Sequence, residues 1–69
     1  MSDSVYKVIE LVGSSTESWE AAAKNAIQKA SASLRDLRIA EVIAQDIHIE
    51  DGMIAFYRTK LKLSFKYEI

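Results

Sequence analysis

Residues 57–67 read YRTKLKLSFKY, a stretch in which cationic and apolar side chains alternate almost throughout. A period of two is typical of a β-strand, because successive side chains of a strand point to opposite faces of the sheet. The cationic face carries Arg58, Lys60, Lys62 and Lys66, and the apolar face carries Leu61, Leu63, Phe65 and Tyr67. We therefore expect a strand with a core on one side and, on the other, water, anions or the carboxylates of a partner.

The size and composition of the chain favour an oligomer. We treat residues 1–69 as one domain, and 69 residues is near the lower limit at which a lone hydrophobic core outweighs the entropy of the chain. No cysteine is present to form a disulfide, yet hydrophobic residues make up 49% of the sequence. A surplus of apolar side chains in so small a protein usually lies at a subunit interface.

The balance of charge gives no reason to expect nucleic acid or a membrane as a partner. Nine basic residues stand against ten acidic ones, for a net charge of -1, so the chain has no broad cationic field to bind phosphates or anionic lipids. The first residues, Met1 to Ser4, lack the basic start and apolar run of a signal peptide. No stretch approaches the ~20 apolar residues of a membrane span. We expect a cytoplasmic protein.

A strand and a helix precede the alternating stretch. Residues 5–12, VYKVIELV, predict a first strand that stops at Gly13, where glycine can adopt a conformation closed to other residues. The hydroxyl side chains that follow predict a helix that begins near Ser15 or Thr16. Its apolar positions recur at steps of three and four, which predicts a face that packs closely on the sheet. That face carries Ala22, Ala23, Ala26, Ile27, Ala30 and Leu34.

Residues 37–49, LRIAEVIAQDIHI, predict a second strand that is apolar on both faces. We expect Ala40, Val42 and Ala44 on one face and Ile39, Ile43, Ile47 and Ile49 on the other. Two apolar faces need two neighbours, of which one is the helix of the same chain and the other is most simply a second subunit. Glu50-Asp51-Gly52 then supplies a hairpin turn into the last strand. The predicted order is β-α-β-β, a single α+β unit.

Three groups of residues give the chain a resemblance to a known family. They are residues 5–15 (VYKVIELVGSS), the run Leu37-Arg38-x-x-Glu41-Val42 and the closing Leu61-x-Leu63-x-Phe65. Together with the β-α-β-β order, these residues resemble the dodecin family. The resemblance implies a three-stranded antiparallel sheet that wraps one helix, with twelve copies assembled into a hollow dodecameric shell. It also implies flavins held in pairs between subunits for storage or scavenging, without catalysis.

Two positions depart from the flavin-binding members of that family. Those members carry a tryptophan that stacks on the flavin where this chain has Ile39, and a glutamine after the tyrosine of the last strand where it has Arg58. We expect both changes to alter one interface pocket, formed by Ile39, Glu41, Gln45 and Arg58. We also expect Glu41 to pair with Arg58 across the strands. Without the stacking platform, flavin is disfavoured as a ligand.

The nearer resemblance is to a branch of the family that lacks the tryptophan and whose members have been linked to calcium. The residues that carry it are Arg38, Ile39, Ala40, Gln45, Asp46, Tyr57, Arg58, Ser64, Phe65 and Lys66. Calcium requires hard oxygen ligands, and Asp46, Glu50 and Asp51 offer carboxylates close together in sequence. Their spacing is not that of an EF-hand, and an ion pair of Asp46 with Arg38 or Arg58 explains the same residues without metal.

No residue pattern predicts catalysis. The sequence has no cysteine, a single histidine, His48, and no Gly-rich phosphate-binding loop before the helix. Trp19 is expected to pack in the core or at an interface, not to replace the stacking tryptophan. We therefore expect a non-catalytic homododecamer that binds or stores a small ligand or ion at its subunit interfaces, with calcium as the leading ligand. Flavin binding and a structural assembly without ligand are the alternatives.

Overall fold

The computed structural model describes residues 4–67 and confirms the β-α-β-β order. Its elements are β1 (Tyr6–Ser15), α1 (Trp19–Ser31), β2 (Leu37–Glu50) and β3 (Met53–Lys66). Both sheet pairings are antiparallel, and the strand order is β1-β3-β2, so β3 is the middle strand. Among residues 4–67, no helix has the length and apolar character that crossing a membrane requires.

The alternating pattern of β3 divides the sheet into two faces, as predicted. Leu61 and Leu63 are each only 1% exposed and belong to the core cluster with Ala26 and Ala30 of α1. Directly opposite residues of antiparallel strands share a face, so β1 adds Leu11 and Ile9, the partners of Leu61 and Leu63, to the same side. The other side, which we call the outer face, carries the exposed cations Arg58, Lys60 and Lys62.

The helix begins later than the sequence predicted. The prediction of a start near Ser15 or Thr16 was wrong, because β1 continues to Ser15 and α1 begins at Trp19. Ser18 is the N-cap: its backbone is extended and its hydroxyl accepts a 3.0 Å hydrogen bond from the amide of Ala21. The backbone of Ser15 is still paired with β3, opposite Tyr57, and is therefore part of the sheet.

Gly13 has a different role from the one expected, because it lies inside β1, opposite Thr59, and does not end the strand. Within residues 4–67, the glycine with a positive φ is Gly52, not Gly13. A Cβ on Gly13 would lie 2.0 Å from the carbonyl oxygen of Ala22 and 2.9 Å from the Cβ of Ala26. Glycine is therefore required here because α1 approaches the strand too closely for any side chain.

The predicted hairpin turn between β2 and β3 is confirmed. Glu50 pairs with Met53, which leaves Asp51 and Gly52 as a two-residue turn. Both turn residues have positive φ, 53° for Asp51 and 73° for Gly52. Positive φ at both central positions is the type I′ geometry, in which Asp-Gly is a favoured pair.

The predicted division of β2 into two faces was wrong from Ile43 to Ile47. It holds again at Ile49, because another shift of register after His48 places Ile49 opposite Ile54 on the outer face. Val42 lies opposite Leu61, yet Ala44 lies opposite Lys60, so Ile43 is an extra residue with no partner of its own. A single inserted residue reverses which side chains face the helix. Ala44 therefore lies on the outer face, whereas Ile47, opposite Tyr57, lies on the side of the helix.

The single chain leaves much of the β2–β3 hairpin uncovered. The described residues extend over 53 × 20 × 16 Å, and nearly all of β2 is exposed. The uncovered side chains include large apolar ones: Ile39 is 66% exposed, Ile49 65% and Met53 72%. An apolar surface of this kind on a small protein marks an interface with another molecule. These exposures agree with the expected second neighbour of β2, although the apolar residues divide between the faces of the strand differently from the prediction.

We predict that Gly13→Ala destabilises the protein by roughly 1–3 kcal/mol, the usual cost of inserting an atom into a packed interior. The new Cβ would meet the backbone oxygen of Ala22, which cannot rotate away. Thermal unfolding measures the effect, and Gly52→Asn is the control because position 52 is open and asparagine tolerates positive φ. A Gly13→Ala protein that melts at the temperature of the parent would contradict the close packing of α1 on β1.

Candidate functional site

A bidentate ion pair joins β2 and β3 on the outer face. The Nε of Arg58 donates to Oδ1 of Asp46 and its Nη2 donates to Oδ2, both at 2.7 Å. The two residues are directly opposite each other in the strand register, which brings the guanidinium and the carboxylate together. Both side chains are about half exposed, 46% for Arg58 and 53% for Asp46. This is the bidentate geometry in which arginine binds a carboxylate best.

The ion pair fixes the charge of both partners. The hydrogen bonds from Arg58 hold the pKa of Asp46 below its ordinary value, with a smaller opposing effect from desolvation. In turn, the hydrogen bonds to Asp46 raise the pKa of Arg58 above that of a free guanidinium. Asp46 is therefore a carboxylate at neutral pH, with each of its oxygens engaged by a donor.

The expected pair of Glu41 with Arg58 is not formed. Glu41 lies opposite Lys62, four residues along β3 from Arg58, a separation of roughly 13 Å at about 3.3 Å per strand residue. Asp46 is directly opposite Arg58 and accepts both hydrogen bonds from its guanidinium. The alternative interpretation, in which Asp46 pairs with an arginine without any metal, agrees with this geometry.

Trp19 anchors the backbone of Asp46 to the helix. Its indole Nε1 donates a 3.1 Å hydrogen bond to the carbonyl oxygen of Asp46, and its ring packs edge-on against Tyr57 with centroids 5.2 Å apart. The hydroxyl of Thr59 donates to the carbonyl oxygen of Trp19 at 2.9 Å. The sequence predicted packing for Trp19 but gave no signal for its contact with Asp46, because 27 residues separate the two.

The three carboxylates proposed as metal ligands do not converge within one chain. Asp46 is paired with Arg58, whereas Glu50 lies at the hairpin end with Oε2 3.2 Å from Nε2 of His48. The His48 ring stacks on Phe56 with centroids 4.6 Å apart. Across the part of the chain that the structure describes, no three side chains of His, Cys, Asp or Glu are placed to share a metal ion.

The residues of the altered flavin pocket are also spread along the sheet. Ile39 lies opposite Ser64 on the outer face, six residues along β3 from Arg58, which is roughly 20 Å. Gln45 lies opposite the buried Thr59 and therefore on the side of the helix. These residues form no single-chain pocket, and a pocket that includes both Ile39 and Arg58 would have to combine two subunits. The pocket itself remains a prediction.

The structure also shows a cationic hollow that the sequence did not predict. Its volume is about 370 Å³, and it is lined by Lys7, Arg35, Asp36, Phe65, Lys66 and Tyr67. Arg35 and Asp36 belong to the connection between α1 and β2, where no periodic pattern indicates which way side chains point. The hollow is separated from the ion pair by the length of β3 between Arg58 and Lys66, roughly 26 Å.

A three-stranded antiparallel sheet that covers one helix is a small α+β fold, and apolar strand residues left exposed on it are typical of proteins that assemble with other chains. The family model described as Dodecin matches residues 5–68. The chain belongs to the dodecin family, as its sequence resemblance indicated. Dodecins are binding proteins, and dodecameric assembly is known for their fold.

Individual relatives agree with this assignment. The calcium dodecin of Mycobacterium tuberculosis is 49% identical over 63 residues, which are 91% of this chain and 89% of that protein. A solved structure of the M. tuberculosis calcium dodecin, described as a calcium-chelating antigen with a novel calcium-binding site, matches with TM-score 0.84 and 50% identity over 94% of this chain and 93% of that one. The dodecin of Streptomyces coelicolor matches with TM-score 0.94 and 40% identity over 100% and 99% of the two chains. The predicted resemblance to the calcium branch is confirmed.

We predict that Ile39→Trp combined with Arg58→Gln increases riboflavin affinity over that of the parent. The resemblance implies that these are the residues with which flavin-binding members stack on the ring and hydrogen-bond it, and one stacked ring contributes about 1–3 kcal/mol. Quenching of riboflavin fluorescence measures the affinity.

The matched control places the tryptophan at the bulged position, as Ile43→Trp with Arg58→Gln. Equal riboflavin affinity of the two double variants would mean that a tryptophan at any exposed position of β2 binds flavin. No gain in either would mean that the backbone of the pocket differs from that of flavin-binding dodecins.

Proposed function

We propose that this protein is a non-catalytic homododecamer that binds and stores calcium between its subunits. The observation that carries the proposal is the 49% identity to a calcium dodecin over 91% of the chain. The position that would stack on flavin is Ile39, which offers no aromatic ring for such a contact. A binding role without catalysis agrees with a sequence in which no nucleophile and base stand in a recognisable catalytic pattern.

The exposed surface of the single chain supports assembly. Both β1 and β2 are edge strands, and edge strands that carry apolar side chains associate with other molecules unless they are covered. Val8, Val12 and Ile39 are more than half exposed on the outer face, beside the cationic row. Contact between copies of the chain would cover these side chains. A cytoplasmic location without nucleic-acid or membrane partners remains part of the proposal, in keeping with the net charge of -1.

The donor chemistry of the chain fits calcium, although one chain does not supply a complete cage. Calcium takes six to eight oxygen ligands, commonly from carboxylates, backbone carbonyls and water. We propose that Asp46, Glu50 and Asp51 contribute carboxylates. Because these do not converge among the described residues of one chain, the remaining oxygens would come from another subunit, from backbone carbonyls or from water. A bound calcium ion would supply charge to balance carboxylates brought together between subunits.

Native mass spectrometry of the purified protein tests assembly and ligand together. We expect twelve subunits, with metal-sized additions after incubation with calcium that disappear after treatment with a chelator. The melting temperature should rise with calcium and fall again with the chelator, because a ligand that binds only the folded state stabilises it. A monomer or dimer would refute the shell. Twelve subunits with flavin-sized additions would restore the flavin alternative, and twelve without additions would favour a structural assembly.

We predict that Asp51→Asn weakens calcium binding without disturbing the hairpin. Asparagine removes the charge but tolerates the positive φ of 53° at this turn position. Calcium titration calorimetry measures the loss, and the unchanged melting temperature of the calcium-free variant shows that the turn is intact. If Asp51→Asn binds calcium as tightly as the parent, the turn carboxylate is not a ligand.

A further inference from the structure

We infer that Arg58 competes with calcium for Asp46, so that the metal binds this carboxylate only by displacing the guanidinium. The inference rests on the proposed function and names the residue of the chain that sets its calcium affinity. It assigns to Arg58 a role other than that of a replaced flavin contact. The basis is the geometry of the pair, in which the guanidinium of Arg58 engages both oxygens of the carboxylate that calcium would need.

The two prongs of Arg58 use the atoms that a calcium ion would need. Each oxygen of Asp46 accepts a hydrogen bond of 2.7 Å from the guanidinium, one from Nε and one from Nη2. Calcium binds carboxylate oxygens at 2.3–2.6 Å and carries two positive charges. A guanidinium in the same plane would lie within a few ångströms of the ion and repel it. The binding of calcium by Asp46 therefore includes the free-energy cost of breaking the pair.

The neighbours of Arg58 offer it no comparable second partner within the described sheet. On β1 the residue opposite Arg58 is Ser14, which is uncharged. The carboxylate farther along that face, Glu10, already has its Oε1 3.6 Å from the Nζ of Lys60. A displaced Arg58 would be drawn back to Asp46, so calcium would be held less tightly than by an unpaired carboxylate. Weak binding of this kind suits a store from which the ion is released.

Only the side chains need to move for this exchange. The backbone of Asp46 is fixed by the indole of Trp19, which donates to its carbonyl oxygen at 3.1 Å, and by the pairing of β2 with β3. The Asp46 carboxylate and the Arg58 guanidinium are each about half exposed, so the guanidinium can swing into solvent without unfolding of the strands. The carboxylate then remains in place for the metal.

Calcium titration calorimetry of the assembled parent and of Arg58→Gln tests the inference. Removal of the guanidinium should raise calcium affinity by about fivefold to tenfold, because calcium would no longer have to break a half-exposed, bidentate ion pair. The matched control is Lys60→Gln, which removes one positive charge from the same face of β3 and leaves Asp46 and Arg58 unchanged. We expect a change of less than about threefold there, because the exposed charge is screened by solvent and salt.

The sign of the effect separates competition from a structural role. Asp46→Asn should weaken calcium binding while Arg58→Gln strengthens it, whereas a pair that only braces the sheet would give losses in both variants. The inference is overturned if Arg58→Gln binds calcium no more tightly than the parent, or if Lys60→Gln gains as much. If Arg58→Gln does not assemble, Arg58→Lys is tested in its place, because lysine keeps the charge but loses the bidentate geometry. Its calcium affinity should be about threefold higher than that of the parent. An unchanged calcium affinity in Arg58→Lys overturns the inference.

Failure of the inference and failure of the proposed function give different results. A parent that binds calcium, with no gain in Arg58→Gln, would refute the competition alone. A parent that binds no calcium, with binding in Arg58→Gln, would refute calcium storage and support the competition. An absence of binding in both proteins would refute both proposals. Native mass spectra of each variant confirm that the subunit count is the same in every comparison.

Discussion

The contact between α1 and the middle of the sheet is the constraint on which the rest of the structure depends. Ala22, Ala26 and Ala30 are nearly or fully buried because the helix lies almost on the backbone of β1 at Gly13. Such a close approach leaves room for few large side chains, and Leu61 and Leu63 of β3 supply much of the bulk of the core. A core this small covers the middle of one face of the sheet and little more.

That limited core determines where binding can occur. The helix covers one side of β1 and β3, so the outer face and most of β2 are left exposed in the single chain. On that outer face the charged side chains compensate each other locally, as Arg58 does with Asp46 and Lys60 with Glu10. Apolar and paired charged groups next to each other are the composition expected of an interface between subunits. A ligand of the outer face would therefore also be a ligand of the assembly.

The sequence predicted the elements whose patterns are local. It did not predict features that depend on how the strands pair, such as which face of β2 each side chain occupies. The alternation of residues 57–67 and the helical stripe of alanines each reflect a single buried face. Both were confirmed except at Tyr67, which follows β3 and is 49% exposed. The bulge at Ile43 could not be predicted, because the run Ala40 to Ala44 is apolar in either register apart from Glu41 and only the pairing with β3 selects one. The same shift of register determines that Arg58 meets Asp46, and the contact with Trp19 depends on the tertiary packing of α1.

The Asp46–Arg58 pair links the two ligand chemistries considered for this family. Glutamine at position 58 would leave Asp46 without a countercharge on the facing strand, whereas arginine neutralises it and hydrogen-bonds both of its oxygens. Arginine also lacks the acceptor oxygen with which an amide side chain can complement a flavin ring. Arginine at position 58 therefore bears on both proposals: it has no acceptor for a flavin ring, and it occupies the carboxylate that we propose as a calcium ligand. The first property follows from the chemistry of the arginine side chain and the second from the geometry of the cross-strand pair, and neither requires a change in the fold.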